Sequence, residues 1–504
     1  MNYDVIIIGA GSAGCVLASR LSEDPNRSVL LLEAGPDYAD VSALPPEIAT
    51  GLWASTVSHD WGFKSEPDAS GRTIPLPRGK LVGGCAATNS MVALRGTPAD
   101  YDEWAAGGNP GWAFNDVLPF FRRLEQDMDC TDAWHGQDGP LPIRRYQTTE
   151  LTKVTRAFME TCITAGYPAV FDHNTPGAIG VGPIPLNLRD GMRQSTALTY
   201  LAAARARHNL AIRSGVLVDH VRFNGERAIG IQLANPAETV TGKQIILAAG
   251  AYGSPAILLR SGLGPVADLR ALGIPVRVDL MGVGRTLIDH PRFALDFVLR
   301  PGVHVEPTPR VQIMLTWRSS LTNTDLDFHI ASLASNLAFG DQAPVTGFSL
   351  LVMLLKPRSQ GQLRLRSAEP SAAPCITPGY FTHPDDLPRM VEVTRMARQL
   401  ARTTPLSDLI AHESAPGVQV ADTDDALAAA LRAGVGSYHH PVATCRMGPD
   451  PHAGAVVDAQ GHVHGVEGLW VMDASIMPTI PAANTNLPTI MVAERCAAWF
   501  TNTQ

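Results

Sequence analysis

The sequence has few charged side chains: Asp, Glu, Lys and Arg together make up 17% of its 504 residues. Acidic residues outnumber basic ones by 48 to 40, and no dense basic segment occurs. A chain without a basic patch is a poor candidate for nucleic-acid binding, so we expect no nucleic-acid partner. The 45% of hydrophobic residues excludes a disordered chain. The length predicts about two or three domains, because one hydrophobic core rarely serves so long a chain.

The sequence also lacks long apolar runs and the cysteine spacing of disulfide-bonded or zinc-binding proteins. No stretch reaches the roughly 18 uninterrupted apolar residues that a membrane-spanning helix needs, so no membrane span is expected. The apolar segment 5–19 does not resemble a secretory signal, since it has no basic segment before it and contains three glycines. The 7 cysteines are odd in number, scattered and never paired as CxxC. We therefore predict reduced thiols and a cytoplasmic protein.

The beginning of the chain has the order of elements that binds dinucleotides. After a leading Asp4, residues 5–8 form an apolar, β-branched run that predicts a buried parallel strand. The glycine pattern GxGxxG follows at 9–14 and opens a helical segment. A second apolar run at 28–32 ends at Glu33. In this setting of strand, turn, helix, strand and terminal acid, the motif predicts a dinucleotide-binding βαβ unit rather than a simple tight turn.

Each residue type in this unit has a physical role. Gly9 permits the tight turn, Gly11 lets the backbone approach a pyrophosphate, and Gly14 lets the helix pack on the strand. The positive end of the helix faces the phosphates. Glu33 is placed to accept hydrogen bonds from an adenosine ribose. The unit by itself does not distinguish NAD from FAD.

Several further motifs follow along the chain. The segment 78–91 is rich in small residues, which indicates a backbone lying close to a flat or anionic group, and Asn89 adds two-sided hydrogen-bonding capacity. The remaining motifs lie at 250–264, 282–290, 437–448, 473–478 and 481–488.

Taken together, these motifs resemble the glucose–methanol–choline (GMC) oxidoreductase family, whose members are flavoenzymes that oxidise alcohols. The resemblance extends from Tyr3 to Ala497 and includes both family signatures, at 79–89 and 250–264. It implies an α/β fold (α+β overall), in which a Rossmann-like FAD-binding domain carries a substrate domain with a mainly antiparallel sheet flanked by helices. The implied FAD-binding domain is discontinuous and comprises 1–150, 190–290 and 440–504, and the implied substrate domain comprises 151–189 and 291–439.

The resemblance makes FAD the expected cofactor. The residues that it implies for FAD binding are Gly9, Gly11, Ser12, Ala13, Gly14, Glu33, Ala34, Trp61, Val82, Gly84, Asn89, Ser90, Met91, Val92, Val218, Asp473, Ala474 and Thr485. Thr88 stands where some relatives carry a histidine that bonds covalently to the flavin. Threonine cannot form that bond, so FAD is expected to be held non-covalently. Cys85 replaces a common hydroxyl residue and is either a small filler or a redox thiol.

The resemblance also implies a catalytic pair. His440, directly before Pro441, is the expected base, because histidine has an ordinary pKa near neutrality. Asn484 is the expected partner, since an amide can donate to a developing alkoxide without changing its charge. A satisfied structural histidine and a helix-capping asparagine are the alternatives.

The residues around this pair lead to three further expectations. His439 is expected to be a pocket wall, since neighbouring side chains of an extended strand point in opposite directions. No metal site is expected, because neither the pair at 439–440 nor His462 and His464 has a nearby Cys or carboxylate cluster. The apolar run 353–355 and the scarcity of charge favour a neutral, hydrophobic or aromatic primary alcohol over a sugar or a choline-like cation.

The expected reaction is FAD-dependent alcohol oxidation. His440 takes the hydroxyl proton and hydride passes to the flavin, giving an aldehyde or ketone, with electrons then accepted by oxygen or another acceptor. Within this class, the enzyme is either an oxidase that uses oxygen or a dehydrogenase that uses another acceptor. The alternatives from other classes are a lyase or photodecarboxylase of the same fold and a non-catalytic flavin-binding protein.

Overall fold

The structure is a computed structural model that describes residues 2–52, 54–303, 311–324, 326–333 and 347–502. Its strands are β1 (Asn2–Ile8), β2 (Val29–Leu32), β3 (Glu125–Asp127), β4 (Leu141–Ile143), β5 (Gly180–Pro183), β6 (Leu188–Arg189), β7 (Met192–Arg193), β8 (Leu210–Arg213), β9 (Leu217–Asn224), β10 (Arg227–Asn235), β11 (Glu238–Leu247), β12 (Leu263–Gly264), β13 (Val278–Asp279), β14 (Pro291–Leu299), β15 (Val311–Trp317), β16 (Phe328–Leu333), β17 (Gly347–Leu354), β18 (Gln362–Arg364), β19 (Cys375–Thr377), β20 (Ile410–Ala415), β21 (Gly436–Ser437) and β22 (Leu469–Val471). Its α-helices are α1 (Ser12–Leu21), α2 (Pro46–Ala49), α3 (Pro98–Ala106), α4 (Phe114–Leu124), α5 (Lys153–Thr164), α6 (Ala202–Ala204), α7 (Gly250–Arg260), α8 (Val266–Ala271), α9 (Asp386–Ala401), α10 (Asp424–Gly434) and α11 (Asn486–Asn502).

The first sheet has the strand order β8-β2-β1-β11-β10-β9, with β22 pairing with the end of β11. Strands β8, β2, β1 and β11 are parallel, whereas β10 and β9 continue the sheet in antiparallel fashion. Val5, Ile6 and Ile7 of β1 have no exposed surface. The apolar run thus forms a central strand covered on both faces, as predicted from the sequence.

The second sheet is antiparallel, with the order β20-β14-β17-β16-β15-β5, and β21 pairs with the beginning of β14. One face packs against α5, α9 and α10 through a buried cluster that includes Phe158, Phe348 and Leu427. The opposite face carries a second buried cluster that includes Met353 and Ala331. This mixed α/β architecture confirms the predicted fold class.

Helix α7 contains a proline. It begins at Gly250, and Pro255 lies within it. A proline inside a helix leaves the carbonyl four residues earlier without its usual N–H donor. Here that carbonyl belongs to Ala251, and it accepts a hydrogen bond from Thr444 Oγ1 at 2.7 Å. A residue far along the chain therefore compensates for the proline.

Two other sequence-based expectations can be compared with the described residues. All seven cysteines are free, and five of them are buried. Within the described ranges, no helix combines the length and the apolar character required to cross a membrane.

Candidate active site

A cavity of about 1480 Å³ lies where the two sheets approach each other. Its lining at one end comes from the glycine turn after β1 and from Glu33 at the end of β2. At the other end, the lining includes His440, Asn484 and Arg292. One elongated space therefore joins the dinucleotide unit to the predicted catalytic pair.

Most of the residues that the sequence assigned to FAD binding line this cavity. They are Gly9, Gly11, Ser12, Ala13, Glu33, Ala34, Trp61, Gly84, Asn89, Ser90, Val92, Val218, Asp473, Ala474 and Thr485.

Gly14, Val82 and Met91 do not line the cavity, and each has another structural role. A Cβ on Gly14 would lie 1.8 Å from the carbonyl oxygen of Gly9, so this glycine serves helix packing. The Val82 side chain is buried and its N–H donates to the carbonyl of Pro36. Met91 has a left-handed backbone (φ 63°) and packs in the apolar cluster beneath the second sheet.

The turn that follows β1 forms a cradle of bare backbone. Gly9 has a φ of +98°, and Gly84 (φ +49°) approaches Gly11 so closely that a Cβ on Gly84 would lie 2.6 Å from the Gly11 Cα. Helix α1 begins directly after Gly11, and no side chain caps its first N–H groups. Uncapped N–H groups at a helix start bind anions, so this end of the cavity suits a pyrophosphate.

Glu33 ends β2 with its carboxylate held by backbone groups. Oε2 accepts from Ala10 N–H at 3.0 Å and Oε1 accepts from Gly35 N–H at 2.9 Å. Burial raises the pKa of Glu33, although these hydrogen bonds oppose the shift. The carboxylate is thereby fixed at the end of the cavity where an adenosine ribose is expected.

His440 and Asn484 are in contact at the other end of the cavity. The Asn484 Nδ2 lies 3.2 Å from His440 Nε2, and Asn484 Oδ1 accepts a hydrogen bond from the Tyr438 hydroxyl at 3.4 Å. With its oxygen directed at Tyr438, the amide turns its donor toward His440. Burial holds the pKa of His440 well below its ordinary value of 6.5, so the imidazole is neutral at neutral pH.

The sequence reasoning missed the groups that support His440 from behind. His290 Nδ1 lies 3.0 Å from His440 Nδ1, and burial lowers the pKa of His290 to about 3. Asp289 accepts from the backbone N–H of His440 at 2.8 Å and from the hydroxyls of Ser437 and Tyr380. The segment 282–290 was recognised as a motif, but nothing in its spacing indicated contact with His440.

His439 does not follow the extended geometry that the sequence suggested. Its φ is +70°, in the left-handed region, so the alternation rule does not apply at this position. His439 and His440 both line the cavity as a result. Ala443 also has a left-handed backbone, with a φ of +71°.

The pocket wall also differs from the expected apolar, uncharged surface. Met353 and Leu355 are buried in the cluster beneath the second sheet, and Leu354 faces the helices. The residue of β17 that lines the cavity is Leu351, and Arg292 of β14 brings a positive charge. Arg292 was not among the site residues expected from the sequence, because nothing local in β14 indicates which of its side chains lines the cavity.

One group among the described residues has the arrangement of metal ligands, and it lies outside this cavity. Asp127, Cys130 and His135 are buried with their ligand atoms within 4.8 Å of one another. The guanidinium of Arg145 donates to both carboxylate oxygens of Asp127, at 2.9 and 3.0 Å, and also to Asp172. A fixed cation already compensates these carboxylates, so we interpret the group as a buried ion-pair network.

Comparison with known proteins gives a consistent result. Two family models described as GMC oxidoreductase match residues 3–292 and 357–493. An oxygen-dependent choline dehydrogenase from Klebsiella pneumoniae is 36% identical over 99% of this chain and 95% of its own. The corresponding enzyme from Photobacterium profundum is 33% identical over 98% and 92%. The structure of a pyridoxine 4-oxidase from Mesorbium loti is 32% identical, covers 99% of both chains and superposes with a TM-score of 0.91.

The chain belongs to the GMC oxidoreductase family. This result confirms the family resemblance that the sequence motifs indicated. The protein is an enzyme, a flavin-dependent alcohol oxidoreductase.

Proposed function

We propose that this enzyme oxidises a primary alcohol with His440 as the base, Asn484 as its partner and FAD held non-covalently in the cavity. The observation that carries the proposal is the contact between His440 and Asn484 at one end of the space whose other end is the dinucleotide cradle. When bound, FAD supplies the acceptor for the hydride that leaves the carbinol carbon.

The hydrogen bonds around His440 favour the tautomer that a base needs. Asn484 Nδ2 can only donate, so His440 Nε2 accepts from it and carries a lone pair. The proton of the neutral ring then resides on Nδ1, which donates to Nδ1 of His290. A substrate hydroxyl near Nε2 can transfer its proton there, and the Asn484 amide can stabilise the developing alkoxide oxygen.

The residues of the cavity fit FAD. Gly9, Gly11 and Gly84 provide room for a pyrophosphate beside the start of α1, and Glu33 can accept from the adenosine ribose. Thr88 lines the cavity, and its side chain cannot form the histidyl bond to a flavin that occurs in some relatives. This supports non-covalent binding, with no metal required.

The cavity surface near the second sheet supports an apolar substrate body. Val311, Ala331, Leu333 and Leu351 line it there. A hydrophobic or aromatic alcohol fits this surface better than a sugar, whose many hydroxyls need polar partners. The pyridoxine 4-oxidase among the structural relatives is named for an aromatic alcohol, whereas the closely matching curated enzymes are named for choline. Oxygen or another carrier is the proposed electron acceptor.

We also propose that the chain has a discontinuous FAD-binding domain (1–150, 190–290 and 440–504) and a substrate domain (151–189 and 291–439), and that the protein is cytoplasmic. The division is supported by the origin of the strands. The first sheet uses residues from 2–32, 210–247 and 469–471, whereas the second uses 180–183 and 291–437.

The test is an anaerobic panel of alcohols, with loss of the oxidised flavin absorbance as the readout. We expect benzyl alcohol and related primary alcohols to bleach the flavin, and acid precipitation to release free FAD. Bleaching by none of the alcohols would exclude alcohol oxidation at this site, and flavin that stays with the precipitate would exclude non-covalent binding. Stopped-flow reoxidation in air then separates the two acceptor classes, since a dehydrogenase reoxidises far more slowly than it turns over.

The variant His440→Ala tests the assigned base. We expect it to retain FAD and to be reduced at least ~10²-fold more slowly by alcohol. Near-normal reduction in this variant would remove His440 from the role. A lyase, a photodecarboxylase or a non-catalytic flavin protein would show no alcohol-dependent bleaching in the wild type.

A further inference from the structure

A positively charged side chain forms part of the cavity wall near the catalytic pair. Arg292 is the second residue of β14, and it lies on the same face of the second sheet as Ala294, the face that carries the inner apolar cluster. Its Nε donates to the carbonyl of Ser437 at 2.6 Å. A Cβ on Gly436 would lie 3.5 Å from the Arg292 Cζ, so the guanidinium rests against β21. Two contacts thus fix the position of this cation.

The contact with Ser437 also places the guanidinium near the reacting atoms. Ser437 precedes His440 by three residues, so their Cα atoms are at most ~10 Å apart even for an extended chain. The left-handed backbone at His439 shortens this separation. Between them, the Tyr438 ring centroid lies 4.3 Å from that of His440. The separation between Arg292 and His440 is therefore short enough for a substrate with one aromatic ring to contact both.

Arg292 keeps its charge in this position. Burial lowers the pKa of Arg292 to about 10, which still leaves the guanidinium protonated at neutral pH. The carboxylates of Asp289 and Asp296 lie close enough to favour the charged form of the guanidinium. The carboxylates among the described cavity-lining residues are Glu33, Glu47, Asp60 and Asp473, and none belongs to the second sheet. The described lining of the substrate end therefore includes the cation of Arg292 and no carboxylate of the second sheet.

We propose that Arg292 is a substrate-binding residue that recognises an anionic substituent, a carboxylate or phenolate, on the alcohol. This inference rests on the proposed function and names its substrate class: an aromatic alcohol that carries one negative charge. It replaces the expectation of an uncharged substrate.

The chemistry of the guanidinium favours this class. Its planar set of N–H donors matches the two oxygens of a carboxylate, and such charge-assisted hydrogen bonds are roughly twice as strong as neutral ones. The nearby side chains of Ala331, Leu333 and Leu351 offer an apolar surface to the ring between the charge and the carbinol. A cationic alcohol would place like charges together in a partly buried space and would bind poorly.

The first experiment uses the wild-type holoenzyme and three alcohols of similar shape. They are 4-(hydroxymethyl)benzoate, benzyl alcohol and 4-(trimethylammonio)benzyl alcohol, compared by the apparent second-order rate constant for anaerobic flavin reduction. We expect the carboxylate to exceed benzyl alcohol at least ~10-fold and the cation to be the poorest substrate. Equal values, or a preference for the cation, would overturn the proposal.

The second experiment measures, in variants of Arg292, the ratio of the rate constant for 4-(hydroxymethyl)benzoate to that for benzyl alcohol. In Arg292→Met we expect the ratio of carboxylate to neutral substrate to fall at least ~10-fold, and in Arg292→Lys to fall less, because the charge remains without the planar fork. A ratio taken within one variant cancels any general loss of activity. The matched control is Arg300→Met, an exposed arginine just beyond the other end of β14, which should leave the ratio unchanged. An equal effect of Arg292→Met on all substrates would contradict the proposal.

A binding measurement separates this inference from the proposed function. Benzoate and benzamide have nearly the same shape, and either one can be titrated against the flavin spectrum of the wild type. We expect benzoate to bind at least ~10-fold more tightly. If no alcohol bleaches the flavin but benzoate still binds selectively, the proposed reaction fails and the anion site stands. If benzoate and benzamide bind equally, the anion site fails whatever the reaction.

Discussion

His290 and His440 face each other through their Nδ1 atoms, 3.0 Å apart, in a buried contact. Two neutral imidazoles can share such a contact only if one Nδ1 carries a proton and the other does not. Because Asn484 Nδ2 donates to His440 Nε2, the proton belongs to His440 Nδ1, and His290 accepts it and helps to orient the His440 ring.

Replacing His290 with Ala should slow flavin reduction ~10-fold or more without loss of FAD, because His440 loses the acceptor that orients it. The measurement is the limiting rate of anaerobic flavin reduction by stopped flow. His290→Gln serves as the control, since its carbonyl can accept the same proton and should restore part of the rate. Equal rates in both variants and the wild type would show that the contact has no influence on the reaction.

The pH dependence of alcohol oxidation should reflect the buried position of His440. Its pKa is lowered by burial, and a base works in its deprotonated form. Activity should therefore be full at neutral pH and should fall only as the pH drops through a value below 6.5. The measurement is kcat/KM against pH in the wild type. An acid limb above 6.5 would contradict the neutral, buried imidazole.

Substitution Asn484→Asp should raise the pH at which kcat/KM begins to fall on the acid side. A carboxylate would take the place of the amide that lies 3.2 Å from His440 Nε2 and would stabilise the imidazolium. We expect the limb to rise by about one pH unit or more, with slower flavin reduction at neutral pH. Asn484→His is the matched control, since an imidazole N–H can also donate to the alkoxide without adding a carboxylate, and it should retain activity within ~10-fold. An unchanged limb in Asn484→Asp would place Asn484 away from the base.

Substitution Gly84→Ala should weaken FAD binding. The added Cβ would lie 2.6 Å from the Gly11 Cα and would push apart the two backbones that form the pyrophosphate cradle. We expect protein purified with much less FAD, measured by the ratio of flavin to protein absorbance. Gly71→Ala is the control, because Gly71 also has a positive φ but open space around its Cβ position. Full FAD content in Gly84→Ala would contradict the cradle.

Replacing Arg145 with Met should destabilise the fold. The change leaves the buried carboxylates of Asp127 and Asp172 without the cation that contacts both. Breaking such a buried pair costs about 3–5 kcal/mol, so the melting temperature of the holoenzyme should drop by several degrees. The neighbouring Arg144→Met removes a partly exposed pair with Glu150 and should cost less than about 1 kcal/mol. Equal losses in the two variants would show that burial of the Arg145 network has no energetic consequence.

The sequence alone determined the dinucleotide unit, because all of its determinants are local. The apolar strands and the glycines at 9–14 follow one another within 33 residues, and their spacing dictates the turn. It also pointed to His440 and Asn484 through the family resemblance, and the structure brings the two into contact.

Tertiary structure decided the immediate surroundings of that pair. Strand β14 pairs with β21, with Pro291 opposite Ser437 and Arg292 opposite Gly436, across nearly 150 residues of chain. This register brings His290 behind His440 and Arg292 into the cavity wall, and no pattern within either segment encodes it. The left-handed backbone at His439 has the same origin, since tertiary contacts stabilise a conformation that the residue itself disfavours. The sequence thus indicated the class of enzyme, whereas strand pairing decided how His440 is held and which charged side chain lines the cavity.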